Sequence, residues 1–222
     1  EIKKLNKEIK NVIKNDLRNI TSKRKSICNF KFDIPIIMGV LNITPDSFSD
    51  GGLFFDEEKA YEQANLMITG GASIIDIGGE STRPGSKIVS DNEEWKRVEN
   101  TIKSLKNNFS DIVLSLDTRK SNLMKKGIES GINIINDVSG LNFDKKSFNT
   151  IQSKNIPFIL HHMQGTPDTM QKNPKYDDVI LDIYDFFEEK INFCIKKNFK
   201  RESIVVDPGI GFGKNLEHNL RI

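Results

Sequence analysis

The decisive stretch of this sequence is Ile36-Ile-Met-Gly-Val-Leu-Asn-Ile-Thr-Pro-Asp-Ser-Phe-Ser-Asp-Gly-Gly52, in which an apolar run passes directly into a polar loop. The run from Ile36 to Leu41 is nearly continuous, which is typical of a strand that is buried on both faces. From Asn42 onwards the loop offers amide, carboxylate and hydroxyl groups, more than a simple connection requires. Because barrel enzymes place their chemistry at this end of a parallel strand, we expect a functional site after Leu41.

Apolar, β-branched runs recur along the rest of the chain and alternate with segments of helical spacing. They predict strands at 36–41, 73–77, 112–116, 132–136, 157–161 and 204–206. The intervening segments predict helices at 57–69, 93–107, 121–130, 144–153 and 177–197. Asp56 is the expected N-cap of the first helix. Strands that alternate with helices predict a parallel sheet.

Both a doubly wound sheet and a (β/α)8 barrel fit this alternation. Polar residues follow every predicted strand, as at Asn42, Asp117–Arg119, Asn136–Asp137 and Asp207. A doubly wound sheet would concentrate such residues at one switch point, whereas a barrel assembles its site from the ends of many strands. The distribution of polar residues therefore favours the barrel.

Composition and charge narrow the class of protein. The chain has 222 residues and a net charge of +2, and no apolar run approaches the ~18 residues that span a bilayer. Its two cysteines, Cys28 and Cys194, have no metal spacing, so we expect a reducing, cytoplasmic compartment. Residues 1–31 carry ten Lys or Arg and three Asp or Glu, a charge of +7 that leaves −5 for the remainder. Apolar residues recur there at helical spacing, which predicts an amphipathic helix that packs on the body or on a partner, rather than a contact to nucleic acid or membrane.

Two further motifs extend the pattern, Gly78-Gly-Glu-Ser-Thr-Arg-Pro-Gly85 and Asp207-Pro-Gly-Ile-Gly-Phe-Gly-Lys214. In this order, and together with 36–52, they resemble the three signatures of the dihydropteroate synthases, enzymes of folate biosynthesis. The resemblance implies a (β/α)8 TIM barrel. Because only six βα units are counted, we expect an incomplete barrel whose last two units lie beyond the sequence. Residues 1–30 would form a basic extension and 31–222 the pterin-binding domain.

Asp117, Asn136 and Asp207 are the candidate pterin-binding residues, because each ends a predicted strand at the same mouth of the barrel. A pterin has an amidine-like edge, and a carboxylate accepts two parallel hydrogen bonds from such an edge. Asn136 adds an amide that both donates and accepts. Taken singly, Asp117 could instead cap the helix near Ser121, and Asp207 could be a turn residue. All three match pterin-binding positions of the family.

The resemblance also implies the reaction, in which 4-aminobenzoate displaces diphosphate from a hydroxymethyl-dihydropterin. Asn42 corresponds to the residue that binds Mg²⁺, and the ion bridges the diphosphate. One amide ligand is sufficient, since Mg²⁺ keeps most of its waters and takes other ligands from phosphate. Thr82, Arg83 and Pro84 lie in a loop that is expected to contact the substrates.

Two acidic residues are the candidate catalytic groups. Asp46 could accept a proton from the amine or only order the closed loop, and Asp117 could stabilise positive charge on the ring as diphosphate departs. Met163 is expected to line the flat pterin and Phe212 to stack on it. The neighbouring His161 and His162 point to opposite faces of a strand, so we do not expect them to bind one metal ion.

The family's later motifs, a pterin-binding Lys in a Ser-Arg-Lys context and an Arg-x-His pair, do not occur in this sequence. We therefore expect this polypeptide to be inactive by itself, and its full-length form to be a homodimer that uses small-molecule substrates. Two other functions remain open: a methyltransferase that uses methyltetrahydrofolate, and a non-catalytic pterin-binding module.

Overall fold

The computed structural model describes residues 6–44, 53–81, 86 and 88–222, with the backbone alone at 53–56. Its centre is one sheet of six parallel strands. The strands are β1 (Met38–Asn42), β2 (Ile74–Gly78), β3 (Val113–Asp117), β4 (Ile134–Asp137), β5 (Phe158–His161) and β6 (Ile204–Asp207). The six predicted strands are confirmed, each to within two residues at either end.

The order of the strands distinguishes the two candidate folds. Strands that are neighbours in the sheet are also consecutive in the chain, from β1 to β6, and a helix lies between each pair. This is the order of a (β/α)8 barrel, whereas a doubly wound sheet reverses its order at a switch point. The fold is therefore α/β with the βα arrangement of a TIM barrel.

The helices between the strands cover the outer side of the sheet, and two further helices lie near the ends of the described chain. In the described chain they are α1 (Lys7–Thr21), α2 (Leu53–Thr69), α3 (Asp91–Asn108), α4 (Ser121–Glu129), α5 (Ser147–Lys154), α6 (Val179–Lys196) and α7 (Leu216–Arg221). Ser90 caps α3 by accepting a hydrogen bond from Glu93 N at 3.3 Å. The prediction that Asp56 caps α2 is wrong, because this helix already begins at Leu53. A single capping residue does not fix a helix end whose boundary depends on tertiary packing.

Successive residues of each strand face opposite sides of the sheet. On the outer side, residues such as Ile75, Leu114 and Leu160 join one large core with the helices. On the inner side, Val113, Ile134 and Ile159 form a smaller apolar cluster. The polar residues nearer the C-terminal ends of the strands therefore stand above an apolar floor.

The N-terminal segment forms the expected amphipathic helix, α1, but none of its residues is buried. The apolar side chains of Val12 and Ile20 remain 60% and 72% exposed. A short bridge between Ile27 and Phe30 follows, and Phe30 packs against the inner cluster of the sheet. The chain thus reaches the barrel floor through this bridge, and the predicted division at residue 30 stays a prediction. Among the described residues, no helix has both the length and the apolar character that crossing a bilayer requires.

Candidate functional site

The rim at the C-terminal ends of the strands holds Asn42 and Asp117 on either side of Gly78. The strand register places Gly78 beside both residues. A Cβ atom at Gly78 would lie 3.2 Å from Asn42 Oδ1 and 3.4 Å from Asp117 Oδ2. Because glycine has no side chain, the amide and the carboxylate keep an open space between them. Asn42 is exposed and Asp117 is half-buried, so a ligand can reach both from the mouth of the barrel.

A buried polar layer, formed by Asp76, Ser115 and Asn136, lies just inside this rim. The amide Nδ2 of Asn136 donates a hydrogen bond to Asp76 Oδ2 at 2.8 Å. Within the described chain, Asp76 Oδ1, Ser115 Oγ and Asn136 Oδ1 are buried without a hydrogen-bond partner. Buried polar atoms nearly always have partners. Asp76 and Asn136 therefore have unused hydrogen-bonding capacity that a bound molecule can fill.

The acidic groups of the site raise one another's pKa. Burial holds the pKa of Asp117 well above its usual range, and the negative charge of Asp76 raises it further. Burial likewise raises the pKa of Asp76 and the charge of Asp207 raises it further, against the opposing effect of the Asn136 amide. N–H donors from a ligand would stabilise the ionised carboxylates. The site thus selects a molecule that presents donors towards it.

Asp207 closes the other side of the site at the end of β6. Its Oδ1 accepts a hydrogen bond from Gly209 N at 2.8 Å, which starts the glycine-rich turn. The register pairs Asp207 with His161, whose Nδ1 donates to Val138 O at 3.0 Å. Phe212 packs edge-to-face on the His161 ring with 4.7 Å between ring centroids. Asp207 and Phe212 therefore lie on the same side of the rim.

Lys214 ties the glycine-rich turn to the end of β5. Its buried Nζ lies 3.1 Å from His162 Nδ1 and donates to Phe212 O at 2.9 Å. An ammonium group can only donate, so His162 Nδ1 accepts and its ring proton is on Nε2. Burial lowers the pKa of Lys214 to about 8, although the charge of Asp207 opposes this. Burial and the charge of Lys214 lower the pKa of His162 to about 4. His162 is thus a neutral anchor for the glycine-rich turn.

A buried ion network of Glu80, Glu94, Arg119 and Lys120 stands at the base of the loop that follows β2. Lys120 Nζ contacts Glu80 Oε1 at 3.1 Å and Glu94 Oε2 at 2.5 Å, and Arg119 Nε contacts Glu80 Oε2 at 2.9 Å. Lys120 also donates to Val89 O at 2.6 Å, while Val89 N donates to Glu80 at 3.1 Å. The network therefore fixes the far end of this loop to β2 and to the β3–α4 turn.

The pKa values of the two glutamates of the network are shifted in opposite directions. Burial would raise the pKa of Glu80, but the hydrogen bond from Arg119 and the charge of Lys120 outweigh burial and lower it. The pKa of Glu94 is raised, because burial there outweighs the hydrogen bonds from Lys120 and Thr118. Glu80 is thus the more strongly paired anion of the two.

The predicted site residues fall into two groups. The structure brings five of them to one rim: Asn42, Asp117, Asn136, Asp207 and Phe212. Met163 follows β5 and is half-buried.

The other predicted residues, Asp46, Thr82, Arg83 and Pro84, lie outside the described residues.

Sequence analysis missed Asp76, Ser115 and the buried ion network. A signal for Asp76 was present, since it is an acidic residue inside the apolar run Ile74-Ile-Asp-Ile-Gly78. A strand buried on both faces rarely carries a charge without a use for it. Glu80 and Lys120 gave no comparable signal, because they lie 40 residues apart and meet only in the folded chain.

Comparison with known proteins places the chain in a family. The sequence profile of a family described as pterin binding enzyme matches residues 38–222. The dihydropteroate synthase of Escherichia coli strain K12 is 44% identical over 185 residues, which are 83% of this chain and 65% of that protein. The chain thus spans slightly less than two thirds of this relative.

Solved structures show the same likeness. The dihydropteroate synthase of Yersinia pestis, solved with a sulfonamide drug complex, has a TM-score of 0.80 and 40% identity, and the match covers 89% of this chain and 72% of that one. The dihydropteroate synthase of Clostridium difficile, solved in the presence of pteroic acid, has a TM-score of 0.78 and 41% identity. Here the match covers 85% of this chain and 69% of the other.

Proposed function

The chain belongs to the pterin binding enzymes, and on this premise we propose that the protein is a dihydropteroate synthase. It would join 4-aminobenzoate to a hydroxymethyl-dihydropterin diphosphate and release diphosphate. The observation that carries the proposal is the convergence of Asp117, Asn136 and Asp207 on one rim, next to buried acceptors without partners. The relatives named above support the choice of reaction within the family.

Pterin recognition follows from the hydrogen-bonding character of this rim. The amidine-like edge of a pterin presents adjacent N–H donors, and Asp117 and Asp207 supply carboxylate acceptors. A ligand that satisfies these acceptors lowers the raised pKa of Asp117 and favours its ionised form. Met163 and Phe212 would supply apolar contacts to the flat ring.

The diphosphate would be held near Asn42 by Mg²⁺. The Asn42 side chain is exposed at the rim, with its Oδ1 facing the open space beside Gly78. Among the described residues, no group of three His, Cys, Asp or Glu side chains is placed to hold a metal. An amide oxygen at the mouth fits an ion that takes its other ligands from water and phosphate. Bound there, Mg²⁺ would neutralise charge on the departing diphosphate.

The second substrate would enter from the loop side. In the reaction the amine nitrogen bonds to the methylene carbon, the bond from that carbon to the diphosphate oxygen breaks with its electron pair, and the amine loses a proton. We assign Thr82, Arg83 and Pro84 to substrate contact and Asp46 to acceptance of that proton. The match of the family profile, which spans all four of these residues, supports the assignment.

Ordered calorimetric titrations test the proposal. The protein with Mg²⁺ should bind hydroxymethyl-dihydropterin diphosphate, and 4-aminobenzoate should bind only after the pterin or inorganic diphosphate has been added. Asn136→Ala should weaken the first event. Tight binding of methyltetrahydrofolate that does not respond to diphosphate would instead indicate a methyltransferase. Pterin binding that never permits the second event would indicate a binding module.

Two further assignments belong to the same proposal. We place the protein in the cytoplasm, which its two free cysteines, Cys28 and Cys194, support because disulfides are rare in reducing compartments. We also propose a homodimer, which sedimentation of the full-length protein would test. Monomers at micromolar concentration would contradict that assignment.

A further inference from the structure

Asp76 is a buried carboxylate that has no assigned role in the proposed reaction. It lies in the interior of β2 and is 3% exposed. One of its oxygens accepts a hydrogen bond from Asn136 Nδ2, and the other has no partner within the described chain. Burying an incompletely bonded carboxylate is costly, and apolar residues often replace buried charges without loss of stability. Folding alone therefore does not account for an acid at this position.

The hydrogen bond to Asp76 determines which way the Asn136 amide points. An amide has a donor end and an acceptor end, whereas an ionised carboxylate only accepts. Asn136 Nδ2 donates to Asp76 Oδ2 at 2.8 Å, so the NH₂ group of Asn136 faces Asp76 and its Oδ1 faces away. This Oδ1 is buried and has no partner in the described structure. It is thus a fixed acceptor, and the second N–H of the same amide remains free to donate.

We propose that Asp76 is a positioning residue that locks the Asn136 amide with its carbonyl oxygen towards the ligand. The identity of the ligand, a pterin, rests on the proposed function. The locked amide then extends the acceptor face formed by Asp117 and Asp207. The pocket favours a heterocycle that presents an N–H donor to Asn136 over an analogue that presents a ring acceptor at the same place.

Ser115 provides a matched control for Asp76. Both side chains are buried, they are paired in the strand register, and Ser115 Oγ also lacks a hydrogen-bond partner in the described chain. Ser115 makes no hydrogen bond to Asn136 among the described contacts. Ser115→Ala therefore changes the same polar layer without releasing the amide.

The test measures binding of hydroxymethyl-dihydropterin diphosphate by wild type and by the variants Asp76→Leu, Ser115→Ala, Asn136→Ala and Asp76→Leu/Asn136→Ala. Asp76→Leu should raise Kd about 10-fold, the effect of one lost hydrogen bond to a charged partner, while its thermal stability is kept or increased. Ser115→Ala should change Kd by less than about 3-fold. The double variant should bind no worse than Asn136→Ala, because Asp76 acts through Asn136.

Several results would overturn this role. One is an unchanged Kd for Asp76→Leu. Another is a double variant whose increase in Kd is the product of the increases caused by Asp76→Leu and by Asn136→Ala. If Asp76→Leu fails to fold, Asp76→Asn keeps the test open, and its Kd should lie between wild type and Asn136→Ala. Failure of wild type to bind the pterin would overturn the proposed function as well.

A ligand-free measurement separates the two proposals. The side-chain NH₂ resonance of Asn136 in an NMR spectrum should show slowed rotation and hydrogen exchange in wild type and in Ser115→Ala. Both should become fast in Asp76→Leu. Fast exchange in wild type would contradict the lock, whatever ligand the pocket takes.

Discussion

Removal of Lys120 should destabilise the protein more than removal of any exposed lysine. Its side chain is 6% exposed, and those of its partners Glu80 and Glu94 are 9% and 1% exposed. Lys120→Met keeps the length of the stem but leaves Glu94 without its cation and Glu80 with Arg119 alone. Breaking a buried ion pair on one side costs about 3–5 kcal/mol, because the remaining charge stays buried.

Urea unfolding followed by circular dichroism would measure this loss. In a thermal melt of the same variants, at about 2–4 °C per kcal/mol for a chain of this size, the melting temperature should fall by roughly 6–20 °C. The matched control is Lys103→Met, whose partner Glu99 is one helical turn away and whose side chain is 57% exposed. That pair is worth about 0.3–0.5 kcal/mol, so the control should hardly change.

A second substitution shows whether unpaired charge is the cause. Glu94→Gln added to Lys120→Met should recover part of the lost stability, since it removes the buried charge that Lys120 neutralised. The reasoning is refuted if Lys120→Met loses no more than Lys103→Met, or if Glu94→Gln deepens the loss in the Lys120→Met background.

Three more predictions concern the rim. The folded state keeps His162 neutral down to about pH 4 while the unfolded chain protonates it near 6.5. Stability should therefore fall as pH drops through this window, by about 1.4 kcal/mol per unit, and His162→Gln should reduce the slope in urea titrations. Gly209→Ala should lower the free energy of unfolding by roughly 2–5 kcal/mol, since φ is +69° and the new Cβ would lie 2.1 Å from His162 O. The control Gly211→Ala has φ +84° and no neighbour within 4 Å, so it should lower it by only about 1–2 kcal/mol in the same assay. Because the pKa of Asp117 is raised, pterin binding should weaken on acidification and release protons. Calorimetry in buffers of different ionisation enthalpy detects this release. Asp117→Asn should bind without it, and an unchanged release would contradict the assignment.

The strands and the rim residues were accessible to sequence analysis because their signals are local. A β-branched run predicts a buried strand, and the polar residue after it, such as Asp117 or Asp207, is then placed at the mouth of the barrel. The start of α2 was missed, since Asp56 offers a capping signal that the helix does not use.

Contacts between residues far apart in the sequence account for the features of the site that sequence analysis did not predict. The bond between Asn136 and Asp76 joins residues 60 positions apart, and no pattern in either segment specifies the partner of the other. The sequence also did not predict that α1 is exposed, because amphipathic spacing predicts a helix but not which surface its apolar face packs against.

The alternation of residues along β2 has a consequence for which length changes the chain can accept. Ile75 and Ile77 face the helices, whereas Asp76 and Gly78 face the interior. Deleting one residue within the strand would exchange these two sets, so that a carboxylate would face the helices and an isoleucine would fill the pocket. Insertions in the connecting loops leave both sets in place. Variants of this architecture should therefore tolerate length changes in the loops at the N-terminal ends of the strands, away from the rim, while single-residue gains or losses inside a strand should abolish both folding and ligand binding.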